Sequence, residues 1–229
     1  MREGSSPRGD TTGSTYTDLA AITPEAYAIA SASRSLARER LGNATPEDRI
    51  RQRCSIAVGD FAMADLMRFS GDPVEAGVAA LERRAPVIVD IRMVQAGVLR
   101  RGHSSEIICA LDHGEEIAME RGITRTSAGF LALRDRLEGS IVVIGNAPSA
   151  LLVVCGMIRE GVHPALVVGT PVGFVNAAES KEELRALGVI PSVSNLGTRG
   201  GTPVAVAAVN EIITIYAERG GHAGSGHRV

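Results

Sequence analysis

Residues 140–149 read SIVVIGNAPS, an almost unbroken apolar run that closes on a glycine, a polar residue and a proline. Two further stretches have the same make-up, PVIVDI at 86–91 and ALVVG at 165–169. Strands that face water on one side alternate apolar with polar residues; strands covered on both faces do not. The three runs therefore predict strands buried inside a parallel sheet. Residues 106–111 and 190–194 supply two more, for a total of about five. Helical stretches separate most of them, at 115–121, 127–137, 149–159 and 179–187, and a last helix covers 204–217. Such alternation predicts an α/β protein, a three-layer α/β/α doubly wound sheet.

Upstream of these runs, Thr23-Pro24 and Thr45-Pro46 each set a capping threonine before a proline. Proline suits the first helical position, whose N–H has no partner inside the helix. The pairs predict two early helices, ending near Leu41 and near Phe69, and a third spans Val74 to Arg83. Residues 1–15 and 219–229 are rich in small and polar residues and are expected as tails around a single domain over 16–218.

A chain of 229 residues with 45% hydrophobic content can bury a core that needs no disulfide or metal staple. Net charge is −2, aromatic content 3% and there is no Trp. Neither a basic field nor a stacking platform for nucleic acid follows from that balance. The apolar stretch at 150–158 is too short for a bilayer, and residues 1–15 lack the core of a signal peptide. Cys54, Cys109 and Cys155 lie far apart in apolar surroundings, as free thiols of a reducing compartment do. A cytoplasmic protein is expected, with a small-molecule partner rather than nucleic acid or membrane. No Cys-x-x-Cys or His-x-x-x-His spacing occurs, so no metal site is expected.

In an open parallel sheet, ligands bind beyond the carboxyl ends of the strands, where the strand order reverses. Residues just after each run are therefore the informative ones: Asp90 and Arg92, Asp112 and His113, Gly145 to Ser149, and 169–176. Gly145 allows backbone to approach a ligand, Asn146 offers a donor and an acceptor, and Ser149 reads as an N-cap leaving N–H groups aimed into the mouth. Thr124, Arg125, Thr126 and Ser127 put four polar side chains in a row at a helix junction, where the arginine could clamp a carboxylate. Lys181, the only lysine among 24 basic residues, reads as a solvated residue near a helix start. Segment 169–173 lacks the ending of a phosphate loop, and 200–202 lacks dinucleotide spacing.

Taken together, several stretches resemble the precorrin-8X methylmutases of corrin biosynthesis. They are APVIVDIRMVQAGV at 85–98, GITRTSAG at 122–129, GSIVVIGNAPSALL at 139–152, PALVVGTPVGFVNAAESKEEL at 164–184 and GTRGGTPVAVAAVN at 197–210, with RFSGDPVEAGVAAL at 68–81. The resemblance runs from about Ala28 to Ile213. It implies a flavodoxin-like fold, a homodimer with sites near the subunit interface, no cofactor, and a tetrapyrrole substrate bearing many carboxylates. Ser33, Asp90, Thr124, Thr126, Gly145, Asn146, Ser149, Lys181 and Arg199 are then the expected substrate contacts, and Arg125 and His113 the candidate catalytic residues, with Arg125 also able to bond a carboxylate arm.

The chain also departs from the family pattern. Where a motif of the form R-x-I-H-A-x-G-D carries the family histidine, Arg53-Cys54-Ser55-Ile56-Ala57-Val58-Gly59-Asp60 has Ile56. The Gly-Arg-x-Gly-Gly-Ser pattern reads Gly197-Thr198-Arg199-Gly200-Gly201-Thr202, and the loop from Gly97 to Glu106 is slightly short. The family reaction moves a methyl group between neighbouring ring carbons, which requires the right tautomer and hence a proton donor. Loss of such an acid typically lowers rate by about 10²–10⁴. Of the remaining histidines, His103 and His163 precede strands, His222 and His227 lie in the tail, and only His113 is at the mouth end. Asp60, Asp90 and Cys54 are the other titratable neighbours. Three readings stay open: a methylmutase using another acid or mainly binding geometry, a diverged isomerase or lyase acting on another molecule, and a non-catalytic corrinoid binder.

Overall fold

Thr23 and Thr45 cap their helices as their spacing predicts. In the computed structural model, which describes residues 22–220, Thr23 Oγ1 accepts the Ala26 N–H at 3.2 Å and opens α1 (Pro24–Leu41). Thr45 and Asp48 form a reciprocal capping box that opens α2 (Pro46–Val58). The second helix does not reach Phe69. Gly59 adopts a left-handed conformation and ends it, a short α3 (Ala62–Leu66) follows, and residues Met67–Ser70 form β1.

Downstream come α4 (Pro73–Glu82), β2 (Val87–Val89), α5 (Arg92–Gly97), β3 (Ile107–Cys109), α6 (Glu115–Arg121) and α7 (Arg125–Ala132). After them lie β4 (Ile141–Ile144), α8 (Pro148–Arg159), β5 (Leu166–Gly169), α9 (Ala177–Leu187), β6 (Ser192–Asn195) and α10 (Thr202–Glu218). The sheet thus has six strands rather than five, in the order β1-β6-β5-β4-β2-β3. β1 runs antiparallel to β6, with Met67 opposite Asn195, and all other pairings are parallel. Without β1, the parallel strands stand in the order second, first, third, fourth, fifth. That is the flavodoxin arrangement, and its switch point lies between β2 and β4.

The continuous apolar runs divide between two cores. Val87, Val89, Ile141, Val143, Leu166 and Val168 face α10, α2 and α4; Ile88, Val142, Ile144 and Val167 face α7, α8 and α9. Alternate side chains of a strand point to opposite faces, so a strand covered twice must be apolar throughout. α10 lies within the first of these cores, with Ala205, Ala208, Val209, Ile212 and Ile213 fully buried. The expected tails fall outside the described residues except for Arg219 and Gly220. Arg219 belongs to the fold, since it makes a two-pronged pair with Glu75 at 2.7 and 2.8 Å.

Candidate functional site

At the switch point, Asp90 follows β2 and is fully buried. Its Oδ2 accepts the backbone N–H groups of Asn146 at 2.7 Å and Ala147 at 3.0 Å, while its Oδ1 has no hydrogen-bond partner among the described residues. Burial pushes the Asp90 carboxyl above the usual carboxylate range, against the pull of the backbone N–H bonds. The N–H groups of the turn after β4 are therefore occupied by this side chain, where the sequence suggested that they stand free for a ligand. Ser149 is not the N-cap; Ala147 holds that place, and the Ser149 hydroxyl lies 3.0 Å from Thr124 Oγ1. Gly145 serves packing rather than ligand approach. A Cβ there would lie 3.0 Å from Ala205 Cβ, Thr202 Cα and Val94 Cγ2, so glycine lets α10 close onto the strand end. The Asn146 residue is exposed.

Beside this turn, Thr124 caps α7 by accepting the Ser127 N–H at 3.2 Å. Its Oγ1 also lies within hydrogen-bond distance of Ser127 Oγ (2.8 Å) and Thr126 Oγ1 (3.2 Å), so four hydroxyls meet here. Arg125 is half exposed, donates to the Leu111 carbonyl at 3.1 Å and faces Glu115 at 3.5 Å. His113, half-buried, follows the short 3-10 turn after β3. Arg92, read from sequence only as a residue following a strand, pairs with Asp112 across the ends of β2 and β3.

The opposite side of the mouth is built by two loops, 170–176 after β5 and 196–201 after β6. They are tied together by Gly173 N–H to Thr198 O (3.1 Å) and Gly201 N–H to Thr170 O (2.7 Å). The first loop carries Phe174, 96% exposed, with Val172 and Val175 exposed on either side. Arg199 on the second pairs with Asp60, and this pairing holds the Asp60 carboxyl below its ordinary range. The pair brings the end of α2 to the rim. Ile56, one turn before Asp60, is 37% exposed there. Ser33 is half-buried on α1, beside an Arg34 that turns inward.

Lys181 contradicts its sequence reading most sharply. It is fully buried, and its Nζ donates to Arg199 O (2.6 Å), Pro171 O (3.1 Å) and Asn195 Oδ1 (3.4 Å). It is neither a solvated surface group nor placed to grip a substrate carboxylate. Cys54 is also fully buried, with its thiol 3.6 Å from Val204 O; burial pushes it up to about 12, so it offers no proton at neutral pH. The three cysteines are free and buried, as expected. His103 is buried, with Nε2 2.6 Å from Leu99 O and Nδ1 accepting the Ser105 N–H. His163 is exposed ahead of β5, and His222 and His227 lie outside the described residues.

One feature escaped the sequence reading altogether. Glu211 on α10 is fully buried and receives three guanidiniums, from Arg34, from Arg49 at 2.7 Å and from Arg53 at 3.1 Å. The spacing of Arg49 and Arg53, four apart on α2, was a visible signal; their partner is 158 residues from Arg53.

Fold and site together define a flavodoxin-like α/β protein whose strands end, on the switch-point side, among hydroxyls and the guanidiniums of Arg92, Arg125 and Arg199. Among the described residues, no group of three His, Cys, Asp or Glu side chains could hold a metal ion, and no helix is long and apolar enough to cross a membrane. The chain belongs to the precorrin-8X methylmutase family, whose model matches residues 28–215. It is 38% identical over 208 residues to the cobalt-precorrin-8 methylmutase of Methanocaldococcus jannaschii, covering 85% of this chain and 96% of that one. It is 44% identical over 164 residues to the precorrin-8X methylmutase of Pseudomonas aeruginosa, covering 69% and 79%. The crystal structure of precorrin-8X methylmutase from Thermus thermophilus superposes with a TM-score of 0.78 at 33% identity, covering 86% of this chain and all of that one.

Proposed function

We propose that the protein catalyses an intramolecular methyl shift on a corrinoid polycarboxylate, with no cofactor, in the route to cobalamin. The observation that carries this reading is the set of three guanidiniums at the carboxyl end of the sheet. Arg92, Arg125 and Arg199 each rest on an exposed acid of the same chain, so a ligand carboxylate can exchange with that acid at little loss. Asn146, Thr124 and Ser149 add donors and acceptors at the same end of the sheet, whereas Thr126, an expected substrate contact, is buried behind them with its hydroxyl toward Thr124. Asp90 and Gly145 act behind them, the first by holding the turn and the second by seating α10 against it.

The family histidine position, Ile56, supplies neither a proton nor a hydrogen bond. We assign tautomer selection to binding geometry, with His113 as the nearest mouth-end imidazole. The half-exposed surroundings of Ile56 leave room for an imidazole without burying it. Ile56→His is therefore expected to raise the rate of methyl shift by about 10²-fold or more. Absorbance of a coloured corrinoid incubated with each variant measures this. A bound chromophore that never changes spectrum, with or without the histidine, would support a corrinoid binder instead. The second reading, a diverged isomerase acting on a more apolar molecule, draws on Ile56, Phe61, Val172, Phe174 and Val175, all exposed on one side of the mouth.

A homodimer and a cytoplasmic location belong to the same proposal. Ile29 and Leu36, two turns apart on α1, are exposed apolar residues on one helix face, and three unpaired thiols suit a reducing compartment. Light scattering of the purified protein reports the oligomeric state.

A further inference from the structure

Every basic residue but one is an arginine, and the exception is Lys181, fully buried behind the mouth. Its three hydrogen-bond partners are all neutral oxygens, and among the described residues it makes no ion pair. Two of those oxygens belong to the rim loops themselves, Pro171 O in the loop after β5 and Arg199 O in the loop after β6. The third, Asn195 Oδ1, ends β6, and the Asn195 amide in turn donates to Arg199 O at 2.5 Å and Leu196 O at 3.1 Å. An ammonium has three donors spread around one atom, which matches three converging acceptors; a planar guanidinium has its donors in a fork and does not.

We propose that Lys181 is a positioning residue that straps the two rim loops together, so that Arg199 and the Val172–Phe174–Val175 apex stand in the geometry that receives the substrate. This rests on the proposed corrinoid site, and it assigns the lysine a place behind that site rather than in contact with ligand. Among the described residues, the other hydrogen bonds between the two loops are those of the Gly173 and Gly201 amides, and Gly200 packs closely against Thr170 and Pro171.

Strap and titration are linked. Burial, and after it the neighbouring Arg185 on the same helix, pushes the Lys181 ammonium down to about 8. Among the described residues, its hydrogen-bond partners from β6 and its loop are Asn195 and the Arg199 backbone, the Arg199 guanidinium pairing instead with Asp60, and from the loop after β5 its partner is Pro171. Opening the strap uncovers the amine and restores its ordinary affinity for a proton, so opening becomes less favourable as pH rises above about 8. Global stability moves in the same direction. Between about 8 and the ordinary 10.5 the unfolded chain binds this proton more tightly than the folded one, so stability from this group rises with pH.

Amide hydrogen exchange tests the strap without any ligand. In the wild-type protein, protection of the Gly173 and Gly201 amides, taken relative to the intrinsic exchange rate, should rise as pH passes above about 8. In Lys181→Met the two amides should exchange about tenfold faster at neutral pH and show no such transition, since local opening sets their rate. Unchanged protection in both experiments would overturn the proposal, and the wild-type pH series stands even if the variant does not fold. Binding of dicyanocobyrinic acid, a corrin with free carboxylate arms, is the second arm. Affinity should weaken about tenfold in Lys181→Met, a difference of about 1.4 kcal/mol. Faster exchange with unaltered corrin binding would keep the strap and overturn its link to the corrinoid site.

Discussion

The two halves of α10 are held to the rest of the molecule by different physics. At its amino end, Gly145 admits Thr202 and Ala205, Gly97 admits Val206, and a Cβ on Gly200 would lie 2.3 Å from Thr170 O. Contact there is a matter of shape, bare glycine backbone against neighbouring side chains and main chain, beside the candidate site. Toward its carboxyl end, Glu211 is caged by three arginines, Arg49 reaches on to Glu218, and Arg219 grips Glu75. There, charge is added to the apolar packing of Ile212 and Ile213, and it fastens α1 and α2 to the core. The difference separates what keeps the protein folded from what keeps its mouth in register.

Removing the cage acid should have the largest effect. Glu211→Ala leaves three guanidiniums around a void and should lower stability by about 3–5 kcal/mol, because uncompensated buried charge is expensive. Chemical denaturation measures it; a loss below about 1 kcal/mol would mean the arginines find water and the contrast between the halves is false. Gly145→Ala should come next, at about 1–3 kcal/mol, since Thr202 Cα and Ala205 Cβ must move to admit the methyl. Its effect on corrin turnover should exceed its effect on stability, whereas Glu211→Ala should show the reverse; paired melting and turnover assays decide this.

The smallest effect belongs to the exposed pair between Arg199 and Asp60. The folded-state pKa of Asp60 is depressed, so its contribution is present above the ordinary carboxylate value and is lost as pH falls through the depressed one. Carbon-13 titration of the Asp60 carboxyl should show a lower midpoint in the wild-type protein than in Arg199→Ala. Equal midpoints would dissolve the link between α2 and the rim.

Much of this architecture was legible in the residues. The doubly covered strands announced themselves because burial on two faces leaves no polar positions, and the Thr-Pro caps are local chemistry. β1 was not legible: residues 67–70 include Arg68 and lie at a sheet edge, so the strand carries no buried signature and exists through pairing with residues far along the chain. α5 was missed because six residues are too few to show a period. At the site, Asp90 and Asn146 were found by their place after strands, but their relation was not, since a buried carboxylate bonded to a neighbouring turn is a tertiary fact. Lys181 misled for a local reason. Its neighbours Glu179, Glu182 and Glu183 suggest a solvated helix, and only the two loops folding over α9 bury it.

The solitary ε-amine also makes the molecule its own opening sensor. An amine-directed reagent finds no lysine on the surface of the intact fold, so side-chain acylation waits until the segment around residue 181 comes undone. The rate at which that one adduct accumulates then counts excursions of the mouth without any engineered label.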